Sequence, residues 1–384
     1  MNKYSRIFIV FTVISLLFTF CSCNKLSTEL SDTMIIQGIG IDEENGNIKV
    51  TVEILNNLQS GSPNGEGNSP NKTYIFSSSG KTVSEAVNNI TLKSGNTPLY
   101  AHNRVIVIGE SAAEKGIEEI SDFFSRDYDS NPSMLVCIAK NRKASEIIDA
   151  DLLEDSVKGE VLENILKMSA RQSFSPLVKS ADVSGCIAEE NECFCIPAVT
   201  VVKRNKKNEY TLDGCGVFNK NNKLLFYLDK NETQGYLFLR NEVDKGNFSV
   251  EIGNRTVSFL IVSSETKYKV KTENGYPVYY AEINTVVDIN EISKNSFDVI
   301  DNSVLNELRE NAEKEIREKV EKAFNKLTYN KTDALKFGKR LSLANTRYYK
   351  EISENYESIF KNSRIATTEN VTVRRTGDKG FFGK

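Results

Sequence analysis

Met34-Ile-Ile-Gln-Gly-Ile-Gly-Ile-Asp42 is apolar at most positions and reads as a β-strand, with Ile48-Lys-Val-Thr-Val-Glu-Ile-Leu55 alternating as its hairpin partner. Asn45-Gly46 between them is a turn signal, since a two-residue hairpin loop needs positive φ at both central residues. Gly38-Ile-Gly40 lacks the third glycine of a dinucleotide-binding fingerprint and runs into Asp42 instead of opening a helix. Close packing of the strand is the better reason for those glycines.

Downstream, Gln59 to Asn71 is rich in Gly, Ser, Pro and Asn and reads as an exposed loop. A third strand, Thr73 to Ser77, leads into Ser79-Gly80-Lys81-Thr82 and a helix from Thr82 to Lys93. Thr82 with Glu85 forms a capping box, and Ala86, Val87 and Ile90 form the buried face. A phosphate-binding loop would need glycine at position 75, where this chain has Ile, so Thr82 is read as a cap. Strands at Arg104–Ile108 and Ser133–Ala139 alternate with helices at Ala112–Phe124 and Ala144–Asp149, an α/β arrangement. Residues 152–173 read as helical, followed by a sheet edge near Pro176 and Pro197.

The rest of the chain changes character. Ala198–Val202, Thr211–Phe218 and Lys223–Leu228 read as strands, Glu232–Leu239 as a short helix, and Phe259–Lys271 and Val278–Val287 as long strands joined at Asn274-Gly275. Ser303 to Leu327 is the main helix, with Leu308, Ala312, Ile316, Val320 and Phe324 on one side. Glu310–Lys314, Glu313–Arg317, Glu315–Lys319 and Glu318–Lys322 stand at i,i+4, so its charge run reads as a solvated face. Tyr349, Ile352, Tyr356 and Phe360 share a face of a later helix, and Val371-Thr-Val-Arg-Arg closes as a strand. The expected fold is α+β, with mixed and antiparallel sheets covered by helices in three domains: 23–197, 198–262 and 263–377, then a tail at 378–384.

Upstream lies a leader. Lys3 and Arg6 precede an apolar run from Ile7 to Phe20 that breaks at Cys21-Ser22-Cys23-Asn24. Fourteen residues are too few for a comfortable membrane span, which takes about 20, and the flanks fit a secretory signal peptide. Small Ser22 before Cys23 suits lipoprotein processing, so residues 1–22 are expected to be removed and Cys23 to carry lipid. Bulky Phe20 makes Cys21 the poorer candidate. Residues 24–32 form a polar tether.

Without Lys3 and Arg6 the chain carries 47 basic and 52 acidic side chains, net −5, which argues against a nucleic-acid partner. Cys137, Cys186, Cys193, Cys195 and Cys215 remain, an odd number that cannot all pair within one chain. Cys186, Cys193 and Cys195 could offer three thiolates, but a zinc site lacks its fourth ligand and the Cys-x-x-Cys spacing. Free thiols are the first reading and a disulfide the second. His102 is the only histidine, which removes two-His metal motifs, and no Gly-x-Ser-x-Gly elbow accompanies it. It is read as structural. No catalytic residue, cofactor or metal is expected.

Taken together, several stretches resemble the Ger(x)C lipoproteins, the C subunits of spore germinant receptors. They are Cys23 followed by Glu29-Leu30 and Ile35 to Asp42; residues 102–127; Gly214-Cys-Gly-Val-Phe218 with Leu224–Leu228 and Glu232-Thr-Gln-Gly235; Asp333 to Gly338; and Val371 to Gly377. Where that family usually has Trp, after the lipidated Cys and in the last helix, this chain has Asn24 and Tyr348, Tyr349 and Tyr356. The resemblance implies a three-domain α+β protein on the outer face of the spore inner membrane. It implies partners, a membrane-embedded A subunit and a transporter-like B subunit, and a role in sensing nutrient germinants without catalysis. Whether this subunit touches a small molecule is left open. The alternative is a free-standing solute-binding lipoprotein, which would need a cleft between two similar lobes; an enzyme would need motifs the chain lacks.

Overall fold

The computed structural model describes residue 4 and residues 33–56, 72–126, 131–152, 156–189, 192–205, 207–293 and 302–375. Apart from residue 4, the leader, Cys23, the tether, the loop at 59–71 and the tail at 378–384 lie outside the described residues.

The hairpin that opens the fold is β1 (Thr33–Glu44) and β2 (Asn47–Leu55), paired antiparallel with Val50 opposite Ile41. Asn45 and Gly46 both take positive φ, 53° and 83°, which matches the twist of the strands they join. β3 (Thr73–Gly80) pairs antiparallel to β2. α1 (Val83–Ser94) starts at Thr82, whose side chain accepts from the Glu85 amide, while the Glu85 carboxylate accepts from the Lys81 amide at 2.7 Å. β4 (Thr97–Leu99) runs parallel to the start of β1, and a 3₁₀ turn at Tyr100–His102 leads to β5 (Val105–Gly109).

The helix expected over Ala112–Phe124 is instead two, α2 (Glu110–Lys115) and α3 (Glu118–Arg126). Gly116 breaks it at φ 127°, and the Ile117 amide donates to the Asn222 carbonyl. β6 (Leu135–Ala139) follows, then α4 (Ala144–Ile148), α5 (Lys158–Arg171) and α6 (Ser180–Ala188). α6 covers residues given no element from sequence. β7 (Phe194–Arg204) lies parallel to β6, with β8 (Lys207–Phe218) and β9 (Leu224–Leu228) continuing antiparallel. Pro197 is therefore not at a sheet edge. It sits in an interior strand beside a register shift between Pro197 and Val199, where the ladder tolerates a residue without an amide hydrogen.

The large sheet has the order β3-β2-β1-β5-β6-β7-β8-β9, with β4 beside β1. β5 is buried on both faces: Ile106 and Ile108 belong to one core, Val105 and Val107 to the other. Two-sided burial explains why such strands read as continuous apolar runs.

α7 (Lys230–Arg240) leaves this sheet, and a second sheet follows: β10 (Gly246–Ile252), β11 (Arg255–Glu273) and β12 (Tyr276–Ile292). α8 (Asn302–Tyr329), α9 (Phe337–Ala344), α10 (Thr346–Ile352) and α11 (Tyr356–Lys361) precede β13 (Arg364–Arg375), which lies parallel to β12. The Tyr349–Phe360 stripe does not lie on one continuous helix, since a 3₁₀ turn at Ser353–Asn355 divides it. Residues 198–262, expected as a middle unit, divide between the two sheets: 198–228 complete the large one, and β10 and the start of β11 belong to the small one. A single core joins them, running from Cys195, Cys215 and Leu228 through α7 to Phe259, Tyr279 and Phe324. The fold is α+β, with mixed sheets covered by helices.

Candidate functional site

A candidate site forms where the two sheets meet, around the turn between α8 and α9. Thr332-Asp333 follows the end of α8, and both Lys331 and Lys336 take φ 58° in reversing the chain. The Asp333 carboxylate accepts from the Phe337 amide at 2.9 Å and the Gly338 amide at 2.6 Å, which caps α9. It also accepts from the Tyr356 hydroxyl at 2.8 Å, which ties α11 to the same turn. A Cβ at Gly338 would meet the Tyr356 ring at 2.9 Å, so glycine allows that approach. Burial raises the Asp333 carboxyl above its usual range, against the opposing pull of its three donors.

Around this carboxylate lies a cleft of about 660 Å³, lined by Glu189, Glu192, Cys193, Lys220, Lys336 and Tyr349 among others. Lys336 pairs with Glu192 across the gap between the sheets, and Lys220 with Glu357 at 2.9 Å. Burial is the first cause that pushes the Cys193 thiol up to about 12, so it stays protonated and is a poor nucleophile. With Asp333 held by three donors, and with Lys336 and Lys220 each paired to a carboxylate, this arrangement fastens the two sheets together. It assembles no nucleophile with a base.

In the large sheet the carboxylates of Glu53 and Asp42 are fully buried, and neither was singled out as a site residue from sequence. Glu53 on β2 accepts from the Lys158 and Gly159 amides at 2.8 and 2.7 Å. Asp42 on β1 accepts from the Ala144 and Ser145 amides at 2.6 and 2.9 Å. Each places a carboxylate at the first turn of a helix, where free amides and the helix dipole favour negative charge. A Cβ at Gly159 would overlap the Gln37 carbonyl oxygen, so α5 starts hard against β1. Gly40 is also a close approach, 2.9 Å from Ile148 of α4 for an added Cβ.

The residues singled out from sequence fall apart in space. Cys23 lies outside the described residues. His102 is exposed at the 3₁₀ turn, and its carbonyl accepts from the Gln37 side chain at 3.5 Å. Cys137, Cys186, Cys193, Cys195 and Cys215 are free thiols. Cys195 and Cys215 are buried neighbours on β7 and β8, and burial, then each other's proximity, raises the Cys195 thiol. Among the described residues, no group of three or more His, Cys, Asp or Glu is placed to hold a metal. Nor is any described helix long and apolar enough to cross a membrane.

Comparison with known proteins adds the following. Residues 27–201 match the family described as "Spore germination protein N-terminal domain", and residues 213–377 match "Spore germination B3/ GerAC like, C-terminal". The chain is 24% identical to spore germination protein KC of Bacillus subtilis, covering 91% of each chain. It is 22% identical to spore germination protein GerQC of Bacillus cereus, covering 96% of this chain and 98% of that one. The crystal structure of the GerBC protein superposes with a TM-score of 0.58 at 22% identity, covering 88% of this chain and 96% of that one, so the fold is shared.

Proposed function

The chain belongs to the Ger(x)C family of spore germination proteins, and from that premise we propose that it is a lipid-anchored, non-catalytic subunit of a nutrient germinant receptor. A role in spore germination follows from the family. The finer reading has Cys23 carrying the lipid and membrane-embedded A and B subunits as partners. The protein then sits on the outer face of the spore inner membrane.

The observation that carries this reading is coverage. Two successive family matches, 27–201 and 213–377, span nearly all of the chain from residue 27 to residue 377. Asp333 supports a structural role in the same direction, since its carboxylate is held by the amides and hydroxyl that fasten α9 and α11. Anchoring explains how contact with membrane subunits needs no large interface: tethering raises the effective concentration of a partner held at the same surface. More than one acyl chain is needed for stable anchoring, as a single chain holds only marginally.

Deleting the gene in its spore-forming host should abolish the response to one class of nutrient germinant and leave nutrient-independent germination intact. Cys23→Ala should release the protein from membranes or leave the unprocessed precursor. Mass spectrometry of the mature protein showing an unmodified Cys23 would overturn the anchor. A well-folded His102→Ala variant should respond to germinant normally; loss of response there would favour a ligand-binding or enzymatic site instead.

A further inference from the structure

The stretch from Asn164 to Ala181 carries Lys167, Arg171 and Lys179 and no Asp or Glu, in a chain with 52 acidic residues. Its outward side chains are equally unusual. Met168, Phe174 and Leu177 are 54%, 36% and 45% exposed, three large apolar groups within ten residues. The backbone beneath them is held firmly. Ser173 takes φ 54°, its hydroxyl donates to the Lys245 carbonyl at 2.5 Å and accepts from the Asp244 amide at 3.2 Å. Phe174 and Leu177 are thus presented from a pinned turn.

This surface lies at one particular end of the large sheet. Val105 and Leu135, the first residues of β5 and β6, align with Gly38, five residues into the parallel strand β1. Lys179 bridges to Leu135, and the Val136 amide donates to the Val178 carbonyl at 2.9 Å. Lys167, Leu177 and Lys179 line a cleft of about 440 Å³ with Gln37, His102 and Arg104. β1 enters from this same end at Thr33, ten residues after Cys23. Ten residues reach at most roughly 35 Å.

We propose that this end of the large sheet rests on the bilayer, with Leu177 and Phe174 in the interfacial layer and Lys167, Arg171 and Lys179 against acidic lipid headgroups. Exposed apolar groups flanked by basic side chains suit a lipid surface, because the rings and chains leave water while the charges stay at the headgroups. Glu163 offsets part of the patch. Burial alone would raise its carboxyl, but Lys167 and Arg104 hold it below the usual range, so it remains an anion paired with both, and Arg171 and Lys179 carry the rest of the positive charge. The inference rests on Cys23 bearing lipid, which sets the tether's length. It adds an orientation: a second contact turns a loose tether into a fixed pose.

The chain contains no tryptophan, so one introduced indole reports alone. The full mature lipidated protein should be reconstituted on phosphatidylglycerol–phosphatidylcholine vesicles carrying brominated chains. Leu177→Trp should shift to the blue and lose emission. Val202→Trp, on β7 beyond the Ala198–Ile138 pairing and so at the opposite end of the sheet, should do neither. Adding Lys167→Glu with Lys179→Glu to Leu177→Trp should restore emission, as should high salt, which screens exposed charge. Protein that floats with the vesicles while Leu177→Trp is quenched no more than Val202→Trp overturns the pose and leaves the anchor standing. Protein that does not float overturns the anchor, and the pose with it.

Discussion

In the large sheet, Asp42 and Glu53 reach from buried strand positions to backbone amides at the first turns of α4 and α5. In the small sheet, Glu369 reaches from β13 to a side chain: both Nε and Nη2 of Arg317 on α8 donate to it, at 2.8 and 2.6 Å. Both devices fasten a helix to a sheet face through a carboxylate that solvent does not touch. They differ in what is left when the bond breaks. Removing Glu53 leaves the Lys158 and Gly159 amides without the carboxylate that accepts from them, whereas Arg317 is 45% exposed and can return to water. The carboxylate of Glu369 cannot, because it stays buried.

Glu53→Ala should be the most damaging single change that tests this contrast, costing about 3–5 kcal/mol. Two charge-assisted hydrogen bonds vanish and the amides of Lys158 and Gly159 are left unsatisfied in the interior. Denaturant melts read the loss directly, and a cost below about 1 kcal/mol would mean that water reaches the start of α5. Arg317→Ala should come next, at about 2–3 kcal/mol, because it strands the buried Glu369 carboxylate without a partner. Arg317→Ala combined with Glu369→Gln should recover part of that loss. Absence of recovery would show that the ion pair is not what holds α8 to β13.

The sequence disclosed what local chemistry controls. Asn45-Gly46 and Asn274-Gly275 announced their hairpins because both residues of each pair adopt positive φ. Thr82 announced α1 by its cap, and the stripe from Leu308 to Leu327 announced α8 by its period. What pairing decides over long distances stayed hidden. Glu53 occupies the polar phase of Lys49, Thr51 and Glu53, which reads as a solvent face, yet α5 covers it. Glu313 and Arg317 read as an i,i+4 pair, but β13 claims both: the Glu313 carboxylate accepts from the Val371 amide at 3.1 Å and Arg317 takes Glu369. The split of 198–262 between two sheets depends on which strands β7 and β11 find, and no local signal encodes that. At the junction cleft, Asp333 stood out only within the stretch Asp333 to Gly338 that carries the family resemblance. The Tyr356 hydroxyl that donates to it comes from 23 residues away.

Asp333 joins the two devices, since it caps α9 through amides and holds α11 through the Tyr356 hydroxyl. Tyr356→Phe should cost about 1–2 kcal/mol at neutral pH, the worth of a hydrogen bond to a charged acceptor. The effect has a pH sign. Burial raises the folded-state value for Asp333, so its contribution is greatest below its unfolded value and is lost as pH rises through the folded one. The Tyr356 bond is worth most to the ionised carboxylate. The penalty of Tyr356→Phe should therefore shrink as pH falls through that value, and a penalty that is flat from neutral pH into the acid range would show that Asp333 does not titrate there.

The smallest effect should come from the most conspicuous buried charge. Lys319 lies on the apolar side of α8 where it crosses α7, so closely that a Cβ at Gly235 would overlap the Lys319 carbonyl oxygen. Its ammonium donates to Gln234 Oε1 at 2.7 Å, pairs with Glu315 at 3.2 Å, and sits 5.3 Å from the centre of the Phe248 ring. Burial lowers its pKa, which records how much solvation the ammonium has given up. Unlike Glu53, it holds no backbone group that depends on it. Removing one member of a buried ion pair is costly when the other stays buried, but Glu315 is 31% exposed and can return to water. Lys319→Met alone should cost about 1 kcal/mol, nearly all of it from the Gln234 oxygen that loses its donor. Lys319→Met with Gln234→Leu should return to the parental stability within about 1 kcal/mol. If the double variant instead loses as much as Glu53→Ala does, then side-chain charge at the α7–α8 crossing fastens the small sheet as strongly as amide capping fastens the large one, and the contrast between the two sheets collapses.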